Sequence, residues 1–348
     1  MTFDRLSRTP AFRLGLPLLM CACFPLLVHT SWILNLGVLT IMYAALGSSW
    51  NLLGGFTGYI SLGHAAFFGL GAYSLALLGG PDRAALAGYG PFLLVPLIAV
   101  AAAVIAAPIG WVVLRARHVA FAIVTITFLF MAQALAFNLT GVTHGSAGLT
   151  AAVAPFAPDG YEAPFYFAML VILAVAVTLF EVTRRAPLGL ALTAVREDED
   201  KARGVGVPTT AIKVMMYCVS VSLTAAAGAV WAYYISFILP QYAVDPLLMV
   251  GTVLMVFLGG QKTLWGPTVG ALVIAPVQEY LAYSVGASKL YLVTYAVLFL
   301  AVILLLPRGI LPTAGEWLRR RRGTRREPLP AEGASPQTPT TATSSRKS

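Results

Sequence analysis

A stretch of 68 residues without a single charge, from Leu14 to Pro81, constrains this chain more than any other feature of its sequence. Three further charge-free stretches cover residues 84–114, 118–158 and 214–244. A helix needs about 20 apolar residues to cross the roughly 30 Å hydrocarbon core of a bilayer, so the first stretch alone is long enough for three crossings. The pattern therefore predicts an all-α, polytopic integral membrane protein.

Composition and charge narrow the class of protein further. The chain is 58% hydrophobic and 11% charged, whereas soluble domains carry roughly 25% charged residues. This composition argues against a disordered chain, a secreted disulfide scaffold and an ordinary cytoplasmic enzyme. A net charge of +9 can indicate nucleic-acid binding. Here the charges lie between and after the apolar runs, so we expect no nucleic-acid partner.

The apolar runs divide into about ten predicted transmembrane helices. They are too long and continuous for barrel strands, which alternate over about 10 residues. The first run has the positive flank of a signal peptide, yet no clean cleavage site follows it, so we expect it to be retained. The predicted spans are residues 14–30, 33–53, 60–79, 92–114, 119–139, 164–183, 214–238, 246–260, 267–284 and 290–306.

The basic residues indicate the orientation of these spans. With ten spans and a cytoplasmic N-terminus, only Arg83 and Lys289 of the 23 basic residues fall on the outer side. Lys and Arg are enriched near cytoplasmic span ends, so both termini are predicted to be cytoplasmic. We therefore expect a cytoplasmic N-terminal segment (1–13), a transmembrane domain (14–307) with its longest inner loop at 184–213, and a cytoplasmic, disordered tail (308–348).

The end of the tail differs in composition from the rest of the chain. From about Glu316 onward it is rich in Arg, Pro, Ser and Thr and cannot bury a core. Arg319–Arg322 could contact anionic membrane lipid, or they could serve as a plain stop-transfer anchor.

No catalytic or cofactor motif interrupts the apolar pattern. The segment Gly259-Gly260-Gln261-Lys262-Thr263 lacks the glycines that a phosphate-binding loop needs, so we expect no nucleotide site in this chain. The three cysteines lie in apolar runs without metal-ligand spacing, so neither a metal site nor a catalytic residue is predicted. They are Cys21, Cys23 and Cys218.

Few ionisable residues are predicted to lie at membrane depth. They are His64 in span three, Glu279 toward the outer end of span nine, and Glu181 near the inner edge of span six. Glu181 lies close to two arginines. His64 is interpreted either as a hydrogen-bonded packing residue or as a functional one, and Glu279 either as an interfacial residue near Lys289 or as a functional one. A proton- or sodium-driven carrier needs such groups, so this sparse set disfavours one.

Residues 50–73, WNLLGGFTGYISLGHAAFFGLGAY, are the first of two informative segments. Six glycines fall within 18 residues, and we expect those at 54, 55 and 58 to interrupt the helix. Irregular backbone at membrane depth must be buried in protein or line a wet cavity. The segment is therefore interpreted either as part of a translocation path or as a tightly packed helix hairpin. The path candidates are Asn51, Thr57, Gly58, Ser61 and His64.

The second informative segment is the longest predicted inner loop, residues 184–208, RRAPLGLALTAVREDEDKARGVGVP. Pro187 suits a first helical turn, and Gly204 and Gly206 are expected to end the helix. An apolar helix face at the cytoplasmic surface suits docking into a partner's groove, although a solvated connecting loop is the alternative. Apolar residues recur at helical spacing at Leu188, Leu192 and Val195.

Together these segments resemble the permeases of branched-chain amino-acid ABC importers, and most closely their M-type (LivM-like) subunits. GYISLGHAAFFGLGAY is similar to the family's glycine-rich signature and PLGLALTAVREDEDKARGVGV to its cytoplasmic coupling segment. A third match is LMVFLGGQKTLWGPTVGA, residues 254–271, and the resemblance covers about residues 35–306. Two positions depart from the family pattern: Lys262 stands where a small residue is usual, and Thr193 where a basic residue is common.

The resemblance implies a permease subunit of an ABC importer that carries leucine, isoleucine and valine across the inner membrane of a bacterium. It implies a second, H-type permease subunit and an extracytoplasmic solute-binding protein. It also implies two cytoplasmic ATPase subunits that bind ATP and Mg²⁺, with no cofactor in this chain. Within the coupling segment, the residues that would belong to the contact with an ATPase are Gly189, Arg196, Glu197 and Asp198.

Three alternatives stay open at this point. Urea, short amides or other amino acids could be carried by the same architecture, because the path candidates do not distinguish among these solutes. An ion-coupled secondary carrier that works alone is a second alternative. A membrane scaffold without transport activity is a third, since a docking loop by itself would permit it.

Overall fold

The computed structural model describes residues 10–28, 30–80, 88–158, 160–285, 297, 300 and 309–323. Within these ranges almost all regular structure is helical. The exception is a pair of two-residue antiparallel strands, β1 (Leu149–Thr150) and β2 (Phe237–Ile238). The predicted span at 290–306 and the two outer basic residues, Arg83 and Lys289, lie outside the described residues, apart from positions 297 and 300 of that span.

The helices follow the apolar runs closely. The described helices are α1 (Pro10–Leu27), α2 (Ser31–Thr57), α3 (His64–Leu78), α4 (Gly90–Val113), α5 (His118–Asn138), α6 (Thr140–Thr143), α7 (Glu162–Arg185), α8 (Pro187–Glu197), α9 (Glu199–Gly204), α10 (Thr209–Ile235), α11 (Pro240–Ala243), α12 (Pro246–Gly259), α13 (Gly266–Val285) and α14 (Ile310–Gly323). A single 3₁₀ turn, Gly145–Ala147, precedes β1.

Six helical segments in the described part are long and apolar enough to cross a membrane. They are α2, α4, α5, α7, α10 and the combined segment Pro240–Gly259. Two shorter apolar helices cover Leu14–Leu27 and His64–Leu78. The chain is therefore a mainly helical, multi-pass membrane protein, as the charge-free stretches predict. The number of ten spans stays a prediction.

The break between α2 and α3 lies later than the glycines predict. The helix continues through Gly54 and Gly55, where the side chains of Trp50 and Asn51 lie directly over the two glycines. These glycines therefore make room for side chains of their own helix. The interruption comes at Gly58, which adopts φ +75° and ends α2 with its N–H donated to Gly54 O. The prediction for Gly58 is confirmed, and that for Gly54 and Gly55 is wrong.

The inner loop folds as two short helices, α8 and α9. Pro187 is the first residue of α8. The predicted apolar positions Leu192 and Val195 are buried within this chain itself, so the expectation that they form a face open to a partner's groove is wrong. The predicted helix to Gly204 is interrupted within the charged run, because Asp198 adopts an extended backbone and caps the N-terminus of a second helix, α9. Gly204 is the last residue of α9, as predicted.

Helix α10 is the centre of the packing and contacts α2, α3, α4 and α7. It approaches α3 closely enough that each helix needs a glycine. A Cβ atom at Gly71 of α3 would collide with Ala225 O of α10, and a Cβ at Gly228 of α10 would collide with Phe68 O of α3. Small residues allow such backbone-to-backbone contact between helices in lipid. The glycine-rich segment thus has a packing function along this helix pair.

The chain divides into two compact units, residues 1–313 and 314–348. Of the second unit, residues 314–323 are described, and they are helical. The composition from about Glu316 onward predicts disorder, whereas the helix continues to Gly323. The segment Glu316–Arg322 consists of residues with good or moderate helix propensity, which accounts for the extension.

We expect Gly228→Val to destabilise the fold by about 3 kcal/mol or more, because the added carbons collide with the α3 backbone, which cannot move away. Gly15→Val is the matched control: Gly15 also lies in a helix, and a Cβ there meets no atom within 4 Å. Thermal unfolding of both purified variants in detergent measures the difference. Equal midpoints for the two variants would show that the α3–α10 contact is not tight.

Candidate functional site

The glycine-rich turn and the inner loop meet at the same end of the helix bundle. Helix α2 ends at Thr57, and the segment from Gly58 to Gly63 leads into α3. Arg196, near the end of α8, donates a hydrogen bond from Nη1 to Gly55 O at 2.6 Å. The two segments that carry the sequence signal are therefore one structural site.

Asn51 connects α2 to the turn between α12 and α13. Its Nδ2 donates to Thr263 O (3.2 Å), and its Oδ1 accepts from Lys262 N (3.3 Å). Gln261 adds a hydrogen bond from Nε2 to Gly54 O (2.8 Å). Lys262 itself adopts φ +70°, a conformation that favours glycine. This explains why a small residue suits the position at which this chain departs from the family pattern.

His64 is held between two serine hydroxyls from other parts of the fold. Its Nδ1 lies 2.9 Å from Ser61 Oγ, and its Nε2 lies 2.7 Å from Ser220 Oγ on α10. Ser220 Oγ donates its only proton to Ser49 O at 2.6 Å, so it must accept from Nε2–H of His64. The imidazole is then neutral, with Nδ1 accepting from Ser61. The chain of hydrogen bonds joins α2, α3 and α10.

The other path candidates are equally enclosed. Thr57 is buried, donates to Leu53 O (2.7 Å) and accepts from Tyr59 N (3.3 Å). Gly58 faces the aliphatic part of the Arg196 side chain. None of the five candidates lines the three cavities near Phe92, Phe24 and Glu279 in the described part of the chain. In this conformation they are interhelical contacts, and their place in a translocation path stays a prediction.

The coupling candidates differ from one another in what they contact. Gly189 is buried where α7 turns into α8, and a Cβ there would collide with Thr183 O. Arg196 points into the bundle, toward Gly55 O and Gln261. Asp198 is occupied by the cap of α9, where its Oδ1 accepts from Lys201 N at 3.0 Å. Glu197 is exposed and makes no hydrogen bond in the described part of the chain.

A buried polar cluster beneath the inner loop escapes the sequence analysis. It consists of Glu199 on α9, Lys213 on α10 and Tyr59 after α2, and we call it the anchor cluster. The Lys213 side chain is 1% exposed and that of Glu199 is 5% exposed. Lys213 Nζ makes three hydrogen bonds, to Glu199 Oε1 (2.8 Å), Tyr59 OH (3.1 Å) and Leu114 O (3.2 Å).

Every strong polar group of the anchor cluster has a partner. The three hydrogen bonds use all three donors of the ammonium group. Tyr59 OH donates to the second carboxylate oxygen of Glu199 at 2.5 Å. Burial alone would raise the pKa of Glu199, but the hydrogen bonds from Lys213 and Tyr59 outweigh it, so the pKa lies below its ordinary value. Glu199 is therefore ionised at neutral pH.

Three further ion pairs lie at the edges of the same loop: one joins α9 to Arg117, and two lie within the end of α7. Arg117, between α4 and α5, binds Asp200 of α9 through two hydrogen bonds of 2.9 and 2.7 Å. At the other end, the buried carboxylate of Glu181 accepts from Arg184 (2.9 and 2.8 Å) and Arg185 (2.7 Å). The sequence predicts the proximity of Glu181 to these arginines correctly. The Arg117–Asp200 pair joins residues 83 positions apart, which no local pattern indicates.

The described residues contain no cluster of side chains suited to metal binding. No group of three or more His, Cys, Asp or Glu side chains is close enough to hold a metal ion there. What the geometry provides is a mechanical connection. Arg196 bonds α8 to α2, Glu199 bonds α9 to α10, and Asp200 bonds α9 to Arg117 after α4. Displacing the two short helices would therefore displace the ends of those spans.

We expect Lys213→Met to lower the free energy of unfolding by about 3 kcal/mol, because Glu199 loses its buried cation and keeps only the 3.3 Å ion pair with Arg203, whose side chain is 55% exposed. Combining it with Glu199→Gln removes both charges and should recover most of that loss. Thermal unfolding in detergent measures both variants. The control is Lys201→Met, whose side chain is 87% exposed and whose loss should cost less than about 0.5 kcal/mol. If Lys213→Met unfolded at the same temperature as the wild type, the anchor cluster would not stabilise the fold.

Comparison with known proteins gives consistent results. Residues 32–306 match the model of the family described as branched-chain amino acid transport system / permease component. Two similar curated proteins are the high-affinity branched-chain amino acid transport system permease proteins LivM of Escherichia coli (strain K12) and Salmonella typhimurium (strain LT2). Each is 26% identical over 335 residues, covering 88% of this chain and 76% of the relative. No solved structure gives a significant match.

Proposed function

We propose a transport mechanism for this chain, which belongs to the branched-chain amino acid transport system / permease component family. It acts as a membrane-spanning subunit of an ABC importer that carries leucine, isoleucine and valine across the inner membrane of a bacterium. The cargo is supported by the names of the two LivM relatives. The mechanism is supported chiefly by the anchor cluster, which ties a helical inner loop to several spans.

The remaining components of the importer lie outside this chain. A second, H-type permease completes the membrane part, and an extracytoplasmic solute-binding protein delivers the cargo. Two cytoplasmic ATPase subunits bind ATP and Mg²⁺, because this sequence has no phosphate-binding loop of its own. The chain itself then needs no cofactor and catalyses no reaction.

The proposed topology keeps ten spans with both termini in the cytoplasm. A cytoplasmic segment (1–13) precedes the permease domain (14–307), and a cytoplasmic tail (308–348) follows it. The concentration of basic residues in the inner connections supports this orientation. It places the anchor cluster at the cytoplasmic ends of α2, α4 and α10, and it places the strand pair β1–β2 on the outer side.

In this mechanism the loop of α8 and α9 receives the movement of an ATPase. Glu197 and the exposed side chain of Leu190 form the contact, while Arg196, Asp198 and Gly189 keep the loop attached and shaped. ATP-driven closure of the ATPase pair displaces the loop, and the anchor cluster transmits the displacement to the spans. A conformational change of this kind requires contacts that differ between the two states. The hydrogen bonds around His64 and Asn51 would then be those that rearrange.

Uptake of leucine into vesicles tests the proposal. Vesicles that contain the purified complex, with both permeases, the ATPases and the binding protein, should accumulate leucine only when ATP is supplied on the side of the membrane where the ATPases lie. Within that assay, Leu190→Asp should abolish uptake and ATPase co-purification, because it places a charge in the docking face. Leu190 is 77% exposed, so the variant should still fold.

The matched control is Val153→Asp, a substitution of another exposed aliphatic residue (67%) in the connection between α5 and α7. It should leave uptake and co-purification unchanged. Uptake by this chain alone under an ion gradient would contradict the ABC mechanism and favour a secondary carrier. ATP-driven uptake of urea in place of leucine would keep the mechanism and correct the cargo.

A further inference from the structure

A cavity of about 500 Å³ lies between α2, α10, α13 and the segment from Phe237 to Leu248. Its volume falls within the range of about 300–1,000 Å³ that is typical of small-molecule sites. Most of its wall is apolar and includes Leu39, Met42 and Leu248. Two other cavities in the described part, near Phe92 and near Phe24, are lined without any charged side chain. The first cavity therefore differs from them in its chemistry.

Two carboxylates line this cavity, Asp245 and Glu279, and no Lys or Arg lines it among the described residues. One oxygen of Asp245 accepts from Leu247 N (2.9 Å) at the start of α12, which leaves its second oxygen available. Glu279 makes no hydrogen bond or ion pair within the described ranges. Carboxylates at membrane depth are costly unless a positive group pairs with them. The cavity thus presents negative charge without a cation from the described chain.

Neutral polar groups complete the lining. Gln278 donates from Nε2 to Tyr43 OH (3.4 Å), while its Oε1 is buried without a hydrogen-bond partner. Trp231 lines the cavity, and its indole N–H has no hydrogen bond in the part of the chain that the structure describes. A ligand with both donors and acceptors would satisfy these groups, and unsatisfied buried polar groups are rare in native proteins.

We propose that this cavity binds the transported amino acid during its passage. Its α-ammonium group pairs with Glu279 and Asp245, and its branched side chain packs against Met42 and Leu248. The indole N–H of Trp231 then donates a hydrogen bond to the α-carboxylate of the bound amino acid. This inference rests on the proposed function and adds a chemical criterion to it: the solute must carry a positive group, which urea and simple amides lack.

The position of the cavity agrees with this role. In the proposed topology α2 enters from the outer side at Ser31 and reaches the inner side at Thr57, so Leu39 and Met42 lie in its outer half. Trp231 lies near the outer end of α10. The cavity thus lies on the side where a binding protein delivers its cargo, away from the anchor cluster. Tyr242 at its edge is 58% exposed, which leaves a route of entry.

Binding of radiolabelled leucine to the purified permease–ATPase complex, measured by equilibrium dialysis without binding protein, tests the proposal. We expect the double variant Asp245→Asn, Glu279→Gln to bind leucine at least about tenfold more weakly, because two charge-assisted contacts are lost. Unlabelled 4-methylpentanoate, which is leucine without its ammonium group, should not compete. Glu279→Gln alone is the second variant, and co-purification of the ATPases checks that each variant assembles.

The matched control is Glu162→Gln, a buried carboxylate at the start of α7 that does not line the cavity. It should bind leucine as the wild type does. Three results would overturn the proposal: unchanged binding by the double variant, competition by 4-methylpentanoate, or no leucine binding by the wild-type complex. ATP-driven leucine uptake by the wild type is measured in parallel. A wild type that takes up leucine but does not bind it in dialysis would reject the cavity proposal and keep the proposed function. A wild type without uptake would reject the proposed function.

Discussion

The buried ion pair between Lys213 and Glu199 is the interaction on which the rest of the structure depends. Removing two charges from water is costly, and the cost is offset only when each receives a full set of partners. Tyr59, the carbonyl of Leu114 and Arg203 of α9 complete that set. Because these groups come from the α2–α3 connection, the end of α4, α9 and α10, the pair can form only when all four are in place. It therefore fixes the inner loop to the bundle.

This arrangement separates two tasks along the membrane normal of the proposed topology. At the inner end, polar contacts hold α8 and α9 to the spans, so a push on the loop reaches α2 and α10. At the outer end, the cavity beside Glu279 presents to an incoming solute a carboxylate that no described cation pairs with. Between the two ends, α10 packs against α3 through Gly71 and Gly228 without intervening side chains. Such close packing transmits displacement with little loss, since protein interiors are poorly compressible.

The amino-acid sequence predicts where the helices lie better than it predicts where they are interrupted. Charge-free runs identify the membrane character, and Pro187 and Gly58 mark helix boundaries correctly, because these signals are local. Gly54 and Gly55 mislead, since their role is to accommodate Trp50 and Asn51 of the same helix. No local pattern distinguishes these two uses of glycine.

The candidate site shows the same division between local and distant contacts. The sequence directs attention to Arg196 and Asp198, whose side chains contact the bundle and cap α9. It assigns Lys213 only to the basic residues of the inner loop, although that side chain becomes the most buried cation described. Its partner Glu199 lies 14 positions away and Tyr59 lies 154 positions away. Pairings over such separations depend on the tertiary fold.

Movement of the inner loop together with the spans is the central claim, and an interspin distance tests it most directly. Spin labels at Lys201→Cys, whose native side chain is 87% exposed, and at Arg115→Cys, in a chain with Cys21, Cys23 and Cys218 replaced by alanine, report on α9 and on the corner between α4 and α5. In a complex that transports leucine, the distance between the labels should be the same in the ATP-bound and ATP-free states. A change of several ångströms on ATP binding would show that the loop moves independently, and would contradict the account.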